Sequence, residues 1–244
     1  MPRFFVDSEQ ISGDRIYITG DDVKHISKVL RLRTGDLITV CDKCKTDYDC
    51  KICEISSDRV VADIIKRYEN RAESDLEIVL FQGLPKSDKM DYIVQKCVEL
   101  GITKVVPVIT KRAVSRPTDA DKKISRWQKI AAEAAKQSGR GVIPEVSAML
   151  SFDEALREVT EKNNCINIMP YECESRSKLR DALLSGDAKR INIFIGPEGG
   201  FDELEVSAAK NSGVKTVTLG PRIMRTETAP IAVCAAVMYE LGDW

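Results

Sequence analysis

The hydrophobic rhythm of the chain changes once, near residue 70. Before it lie short β-rich runs, RIYIT, LITVC, KICEI and RVVADII, separated by the turn clusters SGD, TGD and SSD. Strands at that spacing predict a small barrel. One helix interrupts them: in DDVKHISKVLRLR, Val23, Ile26, Val29 and Leu30 recur on one helical face, with Asp21 or Asp22 placed to cap it. The polar stretch KRYENRAESD reads as a linker, which puts the domain boundary at residue 70, between domains 1–70 and 71–244.

Beyond the linker, apolar runs alternate with amphipathic helices. LEIVLFQ, KVVPVIT, CINIM, INIFI and VKTVTL are the candidate strands. In SDKMDYIVQKCVELG, Ser87 or Asp88 can cap a helix with Met90, Ile93, Val94 and Cys97 on one face, stopped by Gly101. DADKKISRWQKIAAEAAKQSG supplies a second, with Ile124, Trp127, Ile130, Ala131 and Ala134 aligned and Gly139 at its end. SFDEALREVTEK and DELEVSAAKNSG supply two more. This alternation predicts an α/β domain with a mainly parallel sheet. The last helix, IAVCAAVMYEL after Pro230, is apolar almost all round. It must be buried on several sides, in a core or against a second subunit. Ala232, Ala235 and Ala236 permit close approach and favour the subunit interface.

Composition narrows the class. With 244 residues and 43% hydrophobic, the chain can bury a proper core. It has no apolar run of roughly 18 residues or more, the length a membrane span needs. MPRFFVDSEQ lacks the apolar core of a secretory signal, and a chain this large does not need its eight cysteines as disulfides, so cytoplasmic residence is expected. A net charge of −1 argues against indiscriminate nucleic-acid coating. Locally, residues 111–140 carry nine Lys/Arg, among them Arg112, Arg116 and Arg140, against three acids. That excess is either a phosphate-binding surface or a helix face balanced by acids elsewhere.

The first domain offers further RNA contacts. His25 is the only histidine, and it lies far in sequence from the glycine loops described below. With Lys28 and Arg31 on one helix face and Arg33 following, it suits RNA-backbone contact better than acid–base work. Arg3 beside Phe4 and Phe5 adds a charge and a stacking surface, unless the two rings are simply core. Cys41-x2-Cys44 and Cys50-x2-Cys53 look like metal knuckles. The same stretch reads as a hairpin turning at residues 45–48, with Cys41 facing Cys53 and Cys44 facing Cys50. Residues three apart on a strand point to opposite faces, and no glycine is present to make knuckle turns, so no metal site is assigned.

The chemistry concentrates in residues 191–230. INIFIGPEGGF and VKTVTLGPRIMRTETAP each run from an apolar segment through an abrupt Gly-Pro into a loop. In open α/β sheets, ligands sit outside the carboxyl ends of such strands, so the two loops are expected to share a site. Gly196, Gly199 and Gly200 let backbone approach a ligand closely. Ile223 and Met224 can pack on a flat heterocycle. A helix cap at Thr226 or Thr228, followed by Ala229 and Pro230, accounts for part of the second loop. It does not account for Arg222 and Arg225, cations that are unfavourable at a helix N-terminus.

GLPKSDKMDYIVQKCVELGI, EAAKQSGRGVIPEV, FIGPEGGF and LGPRIMRTETAP, in this order, resemble the RsmE family over nearly the whole chain. These are S-adenosylmethionine-dependent methyltransferases that act on N3 of a uridine in 16S ribosomal RNA of the small subunit. The resemblance implies a C-terminal SPOUT-type α/β domain with a trefoil knot and an N-terminal PUA-like RNA-binding β-barrel; the apolar last helix points to a homodimer. The resemblance places the cofactor among Met169, Pro170, Ile195, Gly196, Glu198, Gly199, Gly200, Leu219, Gly220, Ile223, Met224, Arg225, Thr228 and Ala229. Lys86, Lys89, Gln137 and Arg140 lie in the family's motifs and would face RNA or the cleft, and Arg112 is a further expected RNA contact. The four-cysteine stretch departs from the family pattern.

For chemistry at N3, the expectation is that Arg225 stabilises charge on the uracil oxygens. Glu227 either takes the N3 proton or fixes Arg225. Two alternatives remain beside this reading: a SPOUT methyltransferase with another RNA target, and a non-catalytic RNA-binding protein. A ribose 2′-O-methyltransferase would need a Ser/Asn-rich motif where this chain has RTETA. A dinucleotide oxidoreductase fails for lack of the glycine fingerprint.

Overall fold

The computed structural model describes residues 1–114, 119–161, 164–186 and 188–244. The chain forms two compact units, Met1–Glu73 with Ala135–Ile143, and Ser74–Ala134 with Pro144–Trp244.

In the first unit, β1 (Arg3–Phe5), β2 (Ile11–Ser12), β3 (Arg15–Thr19), β4 (Leu37–Cys41), β5 (Thr46–Ile55) and β6 (Arg59–Glu69) form one sheet. Its order is β1-β4-β5-β6-β3-β2, antiparallel except for β1 beside β4. Alternation fills its core: Phe4, Ile16, Ile18, Ile38 and Ile52 are buried from one side. RIYIT and LITVC are strands over the expected residues. β6 runs further than expected, because Lys66 to Glu69 still pair with Asp49 to Thr46. The supposed linker therefore begins as strand, its polar side chains suiting an exposed edge.

Two more expectations need correction. The hairpin turns at residues 42–45, earlier than the pattern suggested, so Cys41 pairs with Asp47 and Ile38 with Cys50. The cause is Asp42, whose carboxylate accepts the amides of Cys44 (2.8 Å) and Thr46 (3.1 Å) while Lys43 and Lys45 take positive φ. Cys41 thus does not face Cys53, and among the described residues no group of three or more His, Cys, Asp or Glu is placed to hold a metal. The interrupting helix is also shorter. α1 (Asp21–Lys24) starts from Gly20 rather than from an aspartate cap and widens into a π-type turn at His25–Val29. Widening rotates the following positions off the core: Val23 and Ile26 are buried, but Val29 is 69% exposed.

The second unit holds β7 (Glu77–Gly83), β8 (Lys104–Ile109), β9 (Glu145–Val146), β10 (Leu150–Ser151), β11 (Cys165–Pro170), β12 (Arg190–Ile195) and β13 (Lys215–Val217). All pair in parallel, in the order β10-β8-β7-β12-β11-β13, with β9 also beside β8. The helices are α2 (Lys89–Glu99), α3 (Ala120–Gln137), α4 (Phe152–Thr160), α5 (Leu179–Leu183), α6 (Glu203–Asn211) and α7 (Ala229–Leu241). Met90, Ile93, Val94 and Cys97 are buried on α2 as their spacing predicts. Capping boxes, Ser151 with Glu154 and Asp202 with Glu205, start α4 and α6. Phe81 and Phe194 stack at 4.6 Å on adjacent strands in the core. Among the described residues, no helix is long and apolar enough to cross a membrane.

Candidate active site

β7, β12, β11 and β13 are consecutive in the sheet and parallel, so their carboxyl ends deliver four loops to one edge. Three of them, after β12, β11 and β13, line a cleft of about 1130 Å³, and Lys89 reaches it from the end of the fourth. The cleft lies where ligands bind in open α/β sheets. The two glycine loops do meet there. Thr226 ties them: its hydroxyl donates to the Gly196 carbonyl at 2.7 Å and accepts from the Gln82 amide at 3.2 Å. Of the two expected caps, Thr226 and Thr228, it is Thr228 that holds the N-cap position of α7, without a side-chain cap bond.

Backbone proximity shapes the first loop. A Cβ at Gly83 would lie 2.7 Å from Pro197 Cδ and 2.8 Å from its nitrogen, so the end of β7 must be glycine for the GPEGG loop to pass. Gly200 has φ of 65°, and its amide closes a turn onto the Pro197 carbonyl at 2.9 Å.

Of the residues expected around a cofactor, Pro170, Ile195, Gly196, Glu198, Gly200, Leu219, Gly220, Ile223, Met224, Arg225 and Ala229 line the cleft. Met169, Gly199 and Thr228 do not. Met169, on β11, is fully buried in the core. The Gly199 carbonyl instead accepts from Arg112 at 3.0 Å. Residues that the pattern did not single out complete the lining, including Tyr171, Glu172, Glu174, Lys178, Phe201 and Thr218. Most lie in the loop after β11, which has neither glycines nor a regular period to mark it. Glu174 anchors that loop. Its carboxylate accepts the amides of Ser175, Arg176 and Ser177 and the Thr216 hydroxyl. The amides of Arg176 and Ser177, then the Thr216 hydroxyl, hold its pKa down at about 2.

Of the two places expected for Lys89, RNA or the cleft, the structure shows the cleft. As the first residue of α2 it lines the cleft, 2.9 Å from Glu198 Oε1 and 3.2 Å from Glu227 Oε2. The bond to Glu198 first, and that to Glu227 after it, raise the Lys89 pKa against desolvation. Burial pushes Glu198 up, but Lys89 and the amides around it bring the carboxyl below its ordinary value. Lys86 contributes through its backbone, donating to both Glu198 oxygens at 3.1 and 3.3 Å. Glu227 stands beside Lys89 and outside the cleft lining, whereas Arg225 lines the cleft with its side chain exposed.

The remaining expected RNA contacts divide. In the first unit, Lys28, Arg31 and Arg33 are exposed and form no ion pair among the described residues. His25 is half-buried, edge-on to Phe4 at 6.1 Å. Arg3 and Arg140 are corrections. Arg3 grips Asp47 with two nitrogens at 2.6 and 3.0 Å and also reaches the Arg140 carbonyl. Arg140 grips Glu73 at 2.7 and 3.0 Å, with both side chains at least nine-tenths buried. Neither guanidinium is available to phosphate. The basic stretch 111–140 is likewise largely neutralised. Lys111 and Arg112 face Asp202, Lys122 faces Asp119, Arg126 faces Asp88 and Asp91, and Lys136 faces Asp22. Arg116 lies outside the described residues.

Residues 72–238 match the family described as RNA methyltransferase domain, and residues 18–65 match the RNA methyltransferase PUA domain. The chain is 35% identical over 250 residues to ribosomal RNA small subunit methyltransferase E of Bacillus subtilis, covering 98% of this chain and 97% of that one. It is 30% identical to the Synechocystis protein of the same name, covering 96% of this chain and 76% of that one. Among solved structures it is similar to ribosomal RNA small subunit methyltransferase E from Neisseria gonorrhoeae bound to S-adenosyl methionine. There the TM-score is 0.91 and the identity 34%, covering 100% of this chain and 99% of that one.

Proposed function

Since the chain belongs to the ribosomal RNA small subunit methyltransferase E family, we propose that it transfers a methyl group from S-adenosylmethionine to N3 of a uridine in 16S ribosomal RNA. The observation that carries this reading is the cleft where the GPEGG and PRIMRTETA loops join at the carboxyl ends of β12 and β13. Its residues fit the cofactor. Ile195, Leu219, Ile223 and Met224 offer apolar surface to an adenine, and Glu172 and Glu198 offer negative charge to a cationic ligand. When bound, S-adenosylmethionine supplies an electrophilic methyl on a sulfonium, and N3 exchanges its proton for that methyl. Arg225, exposed at the cleft, stabilises charge on the uracil oxygens, and Glu227 is the proton acceptor.

Residues 1–70 form the RNA-binding part in this reading, through Lys28, Arg31, Arg33 and His25, and residues 71–244 the methyltransferase part with its knotted path. α7 supports a homodimer: Val233, Cys234, Val237 and Met238 are buried, while Ala232, Ala235 and Ala236 remain half-open and Tyr239 is 73% exposed. A ribosomal substrate implies cytoplasmic residence. The test is methyl transfer from labelled S-adenosylmethionine to small ribosomal subunits of cells lacking the protein, with nuclease mapping of the product. One N3-methyluridine is expected; label on a ribose or another base overturns the reading.

A further inference from the structure

We propose that Lys89 is a positioning residue for methyl transfer, holding the Glu227 carboxylate where it can accept the proton of a uracil N3. The inference rests on the uridine-N3 reading above. Its starting point is that one ammonium serves two carboxylates brought from separate loops, at 2.9 Å and 3.2 Å. The two carboxylates are not equivalent. Glu198 is fixed without Lys89, because the Lys86 amide binds both its oxygens. Glu227 Oε2 is buried and, apart from that ion pair, has no hydrogen-bond partner among the described residues.

Without Lys89 that buried carboxylate oxygen would have no donor, which is unfavourable. The hydrogen-bonding edge of uracil at N3 presents acceptor, donor, acceptor in sequence. In chemical type, Lys89, Glu227 and Arg225 answer it with donor, acceptor, donor. A carboxylate alone would repel the two uracil oxygens. The neighbouring ammonium cancels that repulsion and holds Glu227 in place. Cytosine has no proton at N3, so the same arrangement disfavours it. Glu198, held from both sides, serves as the fixed anchor against which Lys89 is set.

Steady-state methylation of unmodified small ribosomal subunits tests this with Lys89→Met, Lys89→Arg, Glu227→Gln and the Lys89→Met/Glu227→Gln pair, alongside calorimetric affinity for S-adenosylmethionine. Lys89→Met is expected to lower kcat about tenfold or more while leaving cofactor affinity within about threefold. In the Glu227→Gln background the same change is expected to cost less than about threefold further, because both act on one proton acceptor. Lys89→Arg, which keeps a cation, is expected to recover part of the loss. An unchanged kcat for Lys89→Met, losses that multiply in the double variant, or loss of cofactor binding with Lys89→Met each overturns the proposal. Wild-type protein that binds S-adenosylmethionine but leaves every uridine unmodified overturns the function reading instead.

Discussion

Arg140 and Glu73 are sealed from solvent in the first unit, whereas Lys89, Glu198 and Glu227 stand at the wall of an open cleft in the second. Both clusters look alike in the sequence, as cations within motifs of an RNA-modifying family. Their bonding separates them. Glu73 uses both oxygens, on the Arg140 guanidinium and on the amides of Gly141 and Val142. Asp47 likewise spends both oxygens on Arg3, and one also on Asn70. Nothing is left for a ligand, and the cluster serves to pin residues 135–143 within its unit. In the Lys89 cluster one ammonium is shared by two carboxylates, and all three side chains keep partial access to solvent. A dry ion pair with every oxygen occupied serves the fold; one at the wall of a cavity is the candidate for chemistry.

The sharpest way to break this comparison is Glu73→Ala. It strands the Arg140 guanidinium in a dry site and should destabilise the protein by about 3–5 kcal/mol. Urea unfolding measures it. A loss no larger than that of an exposed pair would make the two clusters equivalent. Thr226→Val is expected to act on the other side, removing the donor to Gly196 and costing about 1–2 kcal/mol. It should also weaken S-adenosylmethionine binding in calorimetry, since it loosens the junction of the two loops. Unchanged affinity would mean that the loops are held independently of Thr226.

The smallest effect is expected from acid. Glu174 is held at about 2, against an ordinary 4.5, so its contribution is fully present above pH 4.5 and is lost as pH falls through about 2. Hydrogen exchange at the amides of Ser175, Arg176 and Ser177 should therefore lose protection across that window. Glu174→Gln should lack the acid-dependent step. Protection that is independent of pH in the wild type would show that the carboxylate does not hold this loop.

Much of the fold was legible. RIYIT, LITVC, KVVPVIT and INIFI became strands because short apolar or alternating runs between turn signals have few other ways to bury themselves. What escaped the pattern was set by side chains acting on backbone. Asp42 moved the hairpin turn and with it the register of four cysteines. The π-type turn at His25–Val29 carried Val29 and Leu30 out of the core. At the site, glycines and Gly-Pro boundaries marked two of the four loops. The loop after β11 carried no such mark, so Tyr171, Glu172, Glu174 and Lys178 became visible only once the strand order set it beside the others.

The amino-acid sequence by itself determined the two periodicities, the parallel α/β unit behind the linker, and two of the loops that line the cleft. Those properties depend on local period and on backbone freedom, which residue types express directly. Which cation meets which carboxylate was decided by tertiary structure alone. Lys89 lies more than a hundred residues from both Glu198 and Glu227, and Arg140 lies far from Glu73. Charge acts through distance and desolvation, and only the folded chain fixes either of them.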